Sequence, residues 1–196
     1  MVHADDEMLD TRRLILSTAE ELFMQHGYAN VSMQRLVEKI HESRSITKPA
    51  IYYYFRDKAA LYEAVLTAAT ERFGQKLRTV VAEAGSVEER LRHVTLILQD
   101  IGPEAFTRMR FDITEHLDTQ AQRRLAEVYR AEILAPIATL LTEVQSRSED
   151  SQGKELIATA ALMGLISGLM THFREDQQQV VDWAVKILLY GITSGE

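Results

Sequence analysis

The sequence predicts an all-α fold, in which a small N-terminal domain of three helices leads into a larger helical C-terminal domain. The chain of 196 residues has only 3 prolines and 9 glycines and is rich in residues that favour helices. Apolar residues recur at three- and four-residue spacing in successive segments, which is typical of helices that bury one face. A hydrophobic fraction of 46% is enough to form a sizeable core.

Two helices are predicted near the start of the chain. Residues 11–26 carry an apolar stripe and end at Gly27, which suits the left-handed position after a helix. Ser32 then caps a second helix of about two turns, whose apolar stripe runs from Met33 to Ile40. The amides at such a helix start point outward and are able to bind phosphate.

The third helix is short and rich in aromatic residues. Thr47 is placed to cap it with its hydroxyl, Lys48 follows, and Pro49 sits in the first turn, where a missing N–H is harmless. Because a helix turns about 100° per residue, the three tyrosines at 52–54 cannot all face one core. Some of the phenol groups must therefore face solvent.

Three short helices, the last two joined by a polar turn, make a helix-turn-helix plan, which is a DNA-binding arrangement. The charge distribution agrees with this interpretation. Residues 33–58 contain 6 basic and 3 acidic side chains, whereas residues 61–196 contain 14 basic and 20 acidic ones, in a chain with a net charge of −7. On charge alone, a solvated surface with an accidental asymmetry remains the alternative.

A long helix is predicted from Asp57, which is placed to cap it, to about Ala84. Gly85 ends this helix, and Ser86 with Glu89 forms a capping box for the next one.

Farther on, a Gly-Pro pair at 102–103 breaks the chain, and Asp118 is placed to cap a helix that runs to about Gln145. Pro136 lies inside that helix and predicts a kink, because it removes one backbone hydrogen bond.

Residues 156–173 carry no formally charged side chain. Their length approaches that of a membrane span, but polar residues dilute the hydrophobicity and no second span exists, so we predict no membrane association. A helix apolar on nearly all sides must be covered by its own domain or by a second subunit. Small residues here would let another helix approach closely, and the final helix carries a similar stripe. The predicted homodimer interface is Ala160, Ala161, Gly164, Gly168, Val180, Trp183 and Ile187.

Four motifs follow one another in roughly the first third of the chain. They are A-E-E-L-F-x-x-x-G-Y from Ala19, S-x-x-x-L-V from Ser32, T-K-P-A-I-Y-Y-Y-F-x-D-K from Thr47, and A-A-L-Y-E-A-V-L from Ala59. In this order they resemble the tetracycline-repressor (TetR) family of bacterial transcriptional regulators.

The resemblance implies a helix-turn-helix DNA-binding domain at residues 1–58 and a helical effector-binding and dimerisation domain at residues 59–196. One departure concerns the turn, where about four extra residues, roughly one helical turn, lie within residues 41–45. They either lengthen the second helix or form a surface bulge, and the angle between the second and third helices depends on which.

On this resemblance we predict that the chain contacts double-stranded DNA through its second and third helices and the start of the fourth. Tyr54 is expected to pack in the core, and the lysines to bind phosphate near helix starts. The predicted DNA-binding residues are Ser32, Arg44, Thr47, Lys48, Pro49, Tyr52, Tyr53 and Lys58.

The C-terminal domain is predicted to bind a small effector, because helical bundles hold ligands between their helices. Large apolar groups with few charges indicate an apolar or aromatic effector, although such residues more often fill a core. The predicted effector-binding residues are Phe106, Met109, Phe111, His116, Tyr129, Met163, Met170 and His172.

Catalysis, metal binding and export have little support in the sequence. There is no cysteine, no H-x-x-x-H pair and no glycine-rich phosphate loop, so we predict no enzyme activity, no cofactor and no metal. The alternative is that His93, Asp112 and His116 converge on a metal. Asp112 and His116 are one helical turn apart, and such a pair more often forms a hydrogen bond. The acidic N-terminus lacks the basic start and apolar run of a signal peptide, so we expect a cytoplasmic protein.

The function predicted from these observations is that of a dimeric DNA-binding transcriptional regulator, a repressor released from a pseudo-palindromic operator by an effector. The alternative is a helical ligand- or protein-binding module whose DNA affinity is weakened by the extra residues in the helix-turn-helix connection. A small helical enzyme is a third class, which only a possible pocket supports.

Overall fold

The computed structural model describes residues 2–42, 46–99, 103–145, 159–165, 168 and 177–190. These residues form helices and connecting turns without any strand, which confirms the predicted all-α class. In chain order the helices are α1 (Val2–His26), α2 (Met33–His41), α3 (Lys48–Tyr54), α4 (Lys58–Val81), α5 (Val87–Gln99), α6 (Pro103–His116), α7 (Thr119–Tyr129), a π-helical turn (Arg130–Leu134), α8 (Ala135–Gln145), α9 (159–165) and α10 (Gln177–Tyr190).

The chain divides into two compact units. The first unit comprises Met1–Ala69 and Thr107–Leu125, and the second comprises Thr70–Phe106 and Ala126–Glu196. These units do not follow the domain boundary predicted after residue 58, because the first turns of α4 and the α6–α7 region also pack into the first core. The buried residues that these two regions contribute are Leu61, Tyr62, Val65, Leu66, Leu117, Ala121 and Leu125.

The core of the first unit decides which way α3 faces. Ile51 on α3 is fully buried and Phe55, just after its end, is nearly so, and both pack with residues of α1, α2 and α4. Tyr54 is half-buried against the same core, as predicted. Because α3 has only seven residues, burying this stripe leaves Tyr52 and Tyr53 exposed.

Most of the predicted helix ends are confirmed in the first unit. Gly27 has a φ of +75°, the left-handed conformation expected after α1. The Ser32 hydroxyl accepts a hydrogen bond from the Arg35 amide at 3.0 Å, and Asp57 Oδ1 accepts one from the Ala60 amide at 2.7 Å. These caps fix where α2 and α4 begin.

Thr47 occupies the N-cap position of α3, but the predicted cap is wrong, because its side chain makes no cap hydrogen bond. Pro49 in the first turn already removes one of the amide donors that a cap would satisfy. The Thr47 hydroxyl is therefore exposed without a capping role.

In the second unit the capping box is confirmed, with the Ser86 amide donating to Glu89 Oε2 at 2.8 Å and the Glu89 amide donating to Ser86 Oγ at 3.2 Å. Hydrogen bonds from the Ser86 amide and the Ser86 hydroxyl to the Glu89 carboxylate lower the pKa of Glu89. Helix α4 ends at Val81, earlier than predicted, and the turn that follows reaches Gly85 with a φ of +138°.

The predicted interruption at Pro136 takes the form of a π-helical turn over Arg130–Leu134, after which Pro136 lies in the first turn of α8. The amide of Ala135 donates to the carbonyl of Arg130, five residues earlier. A proline lacks the amide that would continue the usual ladder, and the wider turn accommodates this loss.

The Glu132 side chain in the π-helical turn pairs with Arg78. A Cβ added to Gly74 on α4 would lie 2.7 Å from the Glu132 carbonyl oxygen, so only glycine fits there.

No helix in the described part of the chain is long and apolar enough to cross a membrane. Much of the uncharged stretch at 156–173 lies outside the described residues.

Candidate nucleic-acid interface

The exposed face of α3 presents hydroxyl groups and a cation. Tyr53 is 75% exposed and Tyr52 is 40% exposed, whereas large aromatic groups are usually buried. Tyr53 packs edge-on against Tyr54, with ring centroids 5.3 Å apart, so a half-buried ring supports the exposed one. Lys48 is exposed at the start of the same helix. Such a face suits a wet, hydrogen-bonding, negatively charged surface.

The remaining predicted DNA-binding residues occupy different positions. Ser32, Thr47 and Pro49 are exposed, at or near the starts of α2 and α3. Arg44 lies outside the described residues, together with its two neighbours in the extra segment. The way in which the extra residues are accommodated therefore stays open, although α2 itself ends at His41.

Lys58, predicted to bind phosphate, lies against the Tyr28 ring. Its Nζ is 4.0 Å from the ring centroid, which is a cation–π arrangement. This contact joins the start of α4 to the turn after α1. Burial lowers the pKa of the Lys58 ammonium, and the negative charge of Asp112 opposes that shift. The phosphate contact of Lys58 stays a prediction.

A buried carboxylate on α6 organises the turn that leads into α2. Asp112 is only 6% exposed, and its Oδ2 accepts a hydrogen bond from the Tyr28 amide at 2.9 Å. It also accepts a hydrogen bond from the Tyr62 hydroxyl on α4. Burial raises the pKa of the Tyr62 phenol, and the nearby Asp112 raises it further, so Tyr62 is a hydrogen-bond donor at neutral pH.

His116 completes this cluster by stacking on Tyr28, with ring centroids 4.5 Å apart. Burial raises the pKa of the Tyr28 phenol, with further contributions from Asp57 and Asp112. The spacing of Asp112 and His116 in the sequence indicated a pair, but it did not predict their contacts with Tyr28 and Tyr62. Asp112 lies between Met109 and Ile113, both of which pack against the first core.

The small residues predicted for the dimer interface are exposed in the single chain. Ala160, Ala161, Gly164 and Gly168 all face outward, while Thr159 and Leu162 form the buried side of α9.

Helix α10 has an exposed and a buried side. Trp183 is 59% exposed and Ile187 is half-buried, whereas Val180 is buried and belongs to the packing of the chain itself.

The structure distributes the predicted effector-binding residues over both units. Met109 packs against the first core, His116 stacks on Tyr28, and Phe111 is exposed. Tyr129 and Met163 pack against the second core. The others are Phe106, which is half-buried, and Met170 and His172, which lie outside the described residues.

The histidines considered for a metal have other partners. His93 lies 3.1 Å from Glu83 Oε2, and His116 and Asp112 both contact Tyr28. No group of three potential metal ligands occurs among the residues that the structure describes.

An exposed aromatic third helix, packed on two others by its buried face, defines a helix-turn-helix protein of the all-α class. The family model of bacterial regulatory proteins of the tetR family matches residues 15–65. This segment contains α2, α3 and the hydrogen-bonded turn before them. Residues 15–65 of this chain are therefore similar to the bacterial regulatory proteins of the tetR family.

Two curated relatives agree with this assignment. The HTH-type transcriptional repressor Rv1474c of Mycobacterium tuberculosis is 38% identical over 69 residues, which is 35% of each chain. The HTH-type transcriptional repressor AcnR of Corynebacterium glutamicum is 32% identical over 130 residues, which is 66% of this chain and 60% of the relative. The matches thus span about a third to three fifths of the relatives' own length.

Similarity over the whole chain is visible in the fold. The crystal structure of the transcriptional regulator FadR from Bacillus subtilis in complex with stearoyl-CoA superposes with a TM-score of 0.70 at 15% identity. The superposition covers 92% of this chain and 98% of that chain, so the second unit shares the fold as well.

Proposed function

We propose that the chain is a dimeric transcriptional repressor that binds a pseudo-palindromic operator with two copies of α3. The observation that carries this proposal is the exposed Tyr52–Tyr53 face beside Lys48, within the domain that matches the family model. Both relatives described above are transcriptional repressors, which supports it. In a two-fold dimer the recognition helices must meet successive major grooves about 34 Å apart, or a multiple of that distance.

The second subunit would pack against the exposed small residues of α9 and the exposed side of α10. Small residues allow close helix approach, and Trp183 supplies a large apolar group that is exposed in the single chain. We leave Val180 out of this proposed surface, because it is already buried in the chain's own core.

The proposed effector is a small, largely apolar molecule bound in the second unit. Tyr129 and Met163, half-buried at its core, offer an aromatic ring and a thioether as apolar contacts. The FadR structure contains stearoyl-CoA, which carries a long apolar chain, and its shared fold supports an effector of this kind. A coupling of about 1 to 3 kcal/mol would change operator affinity about 5- to 150-fold.

The test is footprinting of the full chain on the DNA that flanks its own gene, at moderate salt, with and without a fatty acyl-CoA. We expect protection of two half-sites related by two-fold symmetry, and its loss when the acyl-CoA is added. A footprint that persists with the acyl-CoA would contradict the effector assignment and leave the operator assignment standing.

The alternative, a helical ligand- or protein-binding module with weakened DNA affinity, rests on the extra residues at 41–45. It predicts no footprint at moderate salt, together with acyl-CoA binding by calorimetry. Deleting residues 42–45 gives a matched variant, in which specific DNA binding would appear if the longer connection is what weakens it.

A further inference from the structure

Arg35, in the first turn of α2, contacts the end of α1 and not the recognition helix α3. Its Nη2 lies 2.9 Å from Nε2 of His26, the last residue of α1. Arginine is protonated at all working pH values and only donates hydrogen bonds, so the imidazole must accept through Nε2. The ring therefore carries its proton on Nδ1, and the guanidinium is held in place without being neutralised.

Among the described residues, no carboxylate pairs with Arg35, unlike the next cation on the same helix. Lys39 forms a salt bridge with Glu42 at 2.9 Å. In the described part of the chain, by contrast, Arg35 forms no salt bridge, and the first turn of α2 contains no acidic residue. A cation in the first turn opposes the helix dipole, so it does not stabilise α2.

The position of Arg35 places this charge on the candidate DNA-binding domain. The side chain is exposed, its own amide binds the Ser32 cap, and α2 packs against α3 within one compact unit. A guanidinium has five N–H donors, of which His26 engages one, so a planar pair remains for two oxygens of one phosphate.

We propose that Arg35 binds a phosphate of the DNA backbone and that His26 is a positioning residue that orients its guanidinium. This inference rests on the proposed function and deepens it, because it assigns a contact outside α3 and a role to the end of α1. Because the contact is to phosphate, it raises affinity for every sequence and steepens the dependence on salt.

The experiment measures duplex DNA affinity of the full chain as a function of salt concentration. Arg35→Gln should make the slope of log K against log salt shallower by about 0.9, the value for one lost phosphate contact. Lys39→Gln is the matched control, since it removes a paired cation from the same helix, and its slope should equal that of the wild type. A wild-type slope in Arg35→Gln would overturn the proposal.

The role of His26 is tested by two variants and a double-mutant cycle. His26→Leu removes the acceptor and should weaken binding, whereas His26→Gln offers a side-chain oxygen as acceptor and should restore it. In the Arg35→Gln background, His26→Leu should have no further effect. Additive losses, or no rescue by glutamine, would show that His26 does not act through Arg35.

Failure of the inference differs from failure of the proposed function. If Lys48→Ala and Tyr53→Ala weaken duplex binding while Arg35→Gln leaves it unchanged, only the inference fails. If the wild-type chain binds no duplex DNA even at low salt, both fail. Thermal melts of all variants verify that the exposed substitutions leave the fold intact.

Discussion

Two exposed faces that carry aromatic groups, one on α3 and one on α10 beside α9, differ in what surrounds those groups. Tyr53 on α3 stands among hydroxyls and the ammonium of Lys48. On the second face, Trp183 lies one helical turn from both the exposed Lys186 and the half-buried Ile187, and the described exposed side of α9 consists of alanine and glycine. The first face suits a hydrated polyanion, and the second suits the close approach of another helix. Exposure alone does not identify a partner, but the neighbouring groups do.

The largest expected effect comes from blocking close approach at α9. No atom of the described neighbours lies within 4 Å of a Cβ placed on Gly164, so Gly164→Arg should fold normally as a single chain. We expect it to remain monomeric in sedimentation experiments and to lose about 10²- to 10⁴-fold in operator affinity, because two half-sites no longer act together.

Gly164→Ala is the control for that substitution. It adds one methyl group in open space and improves helix propensity, so its stability should equal or exceed that of the wild type. A Gly164→Arg protein that still forms dimers would show that α9 is not the interface.

A smaller effect is expected at the recognition face. Because Tyr53 is 75% exposed, Tyr53→Ala should leave the melting temperature nearly unchanged while it weakens operator binding by roughly 1 to 3 kcal/mol, or 5- to 150-fold. Fluorescence anisotropy with a labelled operator measures this loss. Tyr54→Ala is the matched neighbour, and it should lower stability instead, since its ring packs against the core. Equal operator affinity of Tyr53→Ala and the wild type would show that α3 is not the element that recognises the operator.

The smallest effect on dimerisation and DNA binding is expected from substitution of Gly74. Gly74→Ala places a methyl group against Glu132, so it should destabilise the second unit by about 1 to 3 kcal/mol through overcrowding. Denaturant unfolding measures this change. At temperatures well below the melt the variant should still dimerise and bind DNA. If Gly74→Ala and Gly164→Arg gave the same behaviour, the distinction between a packing glycine and an interface glycine would fail.

Local chemistry made much of the first unit predictable. The caps at Ser32 and Asp57 can be predicted from sequence, because each capping oxygen accepts a hydrogen bond from the amide three residues farther along the chain. Helix geometry required some of the tyrosines at 52–54 to face solvent, and Tyr53 is the most exposed of them. Thr47 was the exception, since the same sequence signal is compatible with an exposed hydroxyl that makes no cap bond.

Contacts between distant segments were not predictable in the same way. Tyr28 and Asp112 are 84 residues apart, and only the packing of α6 against the first unit brings them together. On α10, Val180 and Trp183 belong to one apolar stripe in the sequence, yet one is buried and the other exposed. A periodic pattern locates an apolar stripe, but it does not say where the chain's own core stops and a partner's surface begins.

The π-helical turn at Arg130–Leu134 determines which residues of α8 face the second core. Such a turn holds one residue more than an α-helical turn, and each residue rotates a helix by about 100°. In an unbroken α-helix with the same number of residues, Ile137 and Leu140 would therefore be rotated out of the second core, in which both are fully buried. A relative that is α-helical throughout this region should align with α8 only across a one-residue gap.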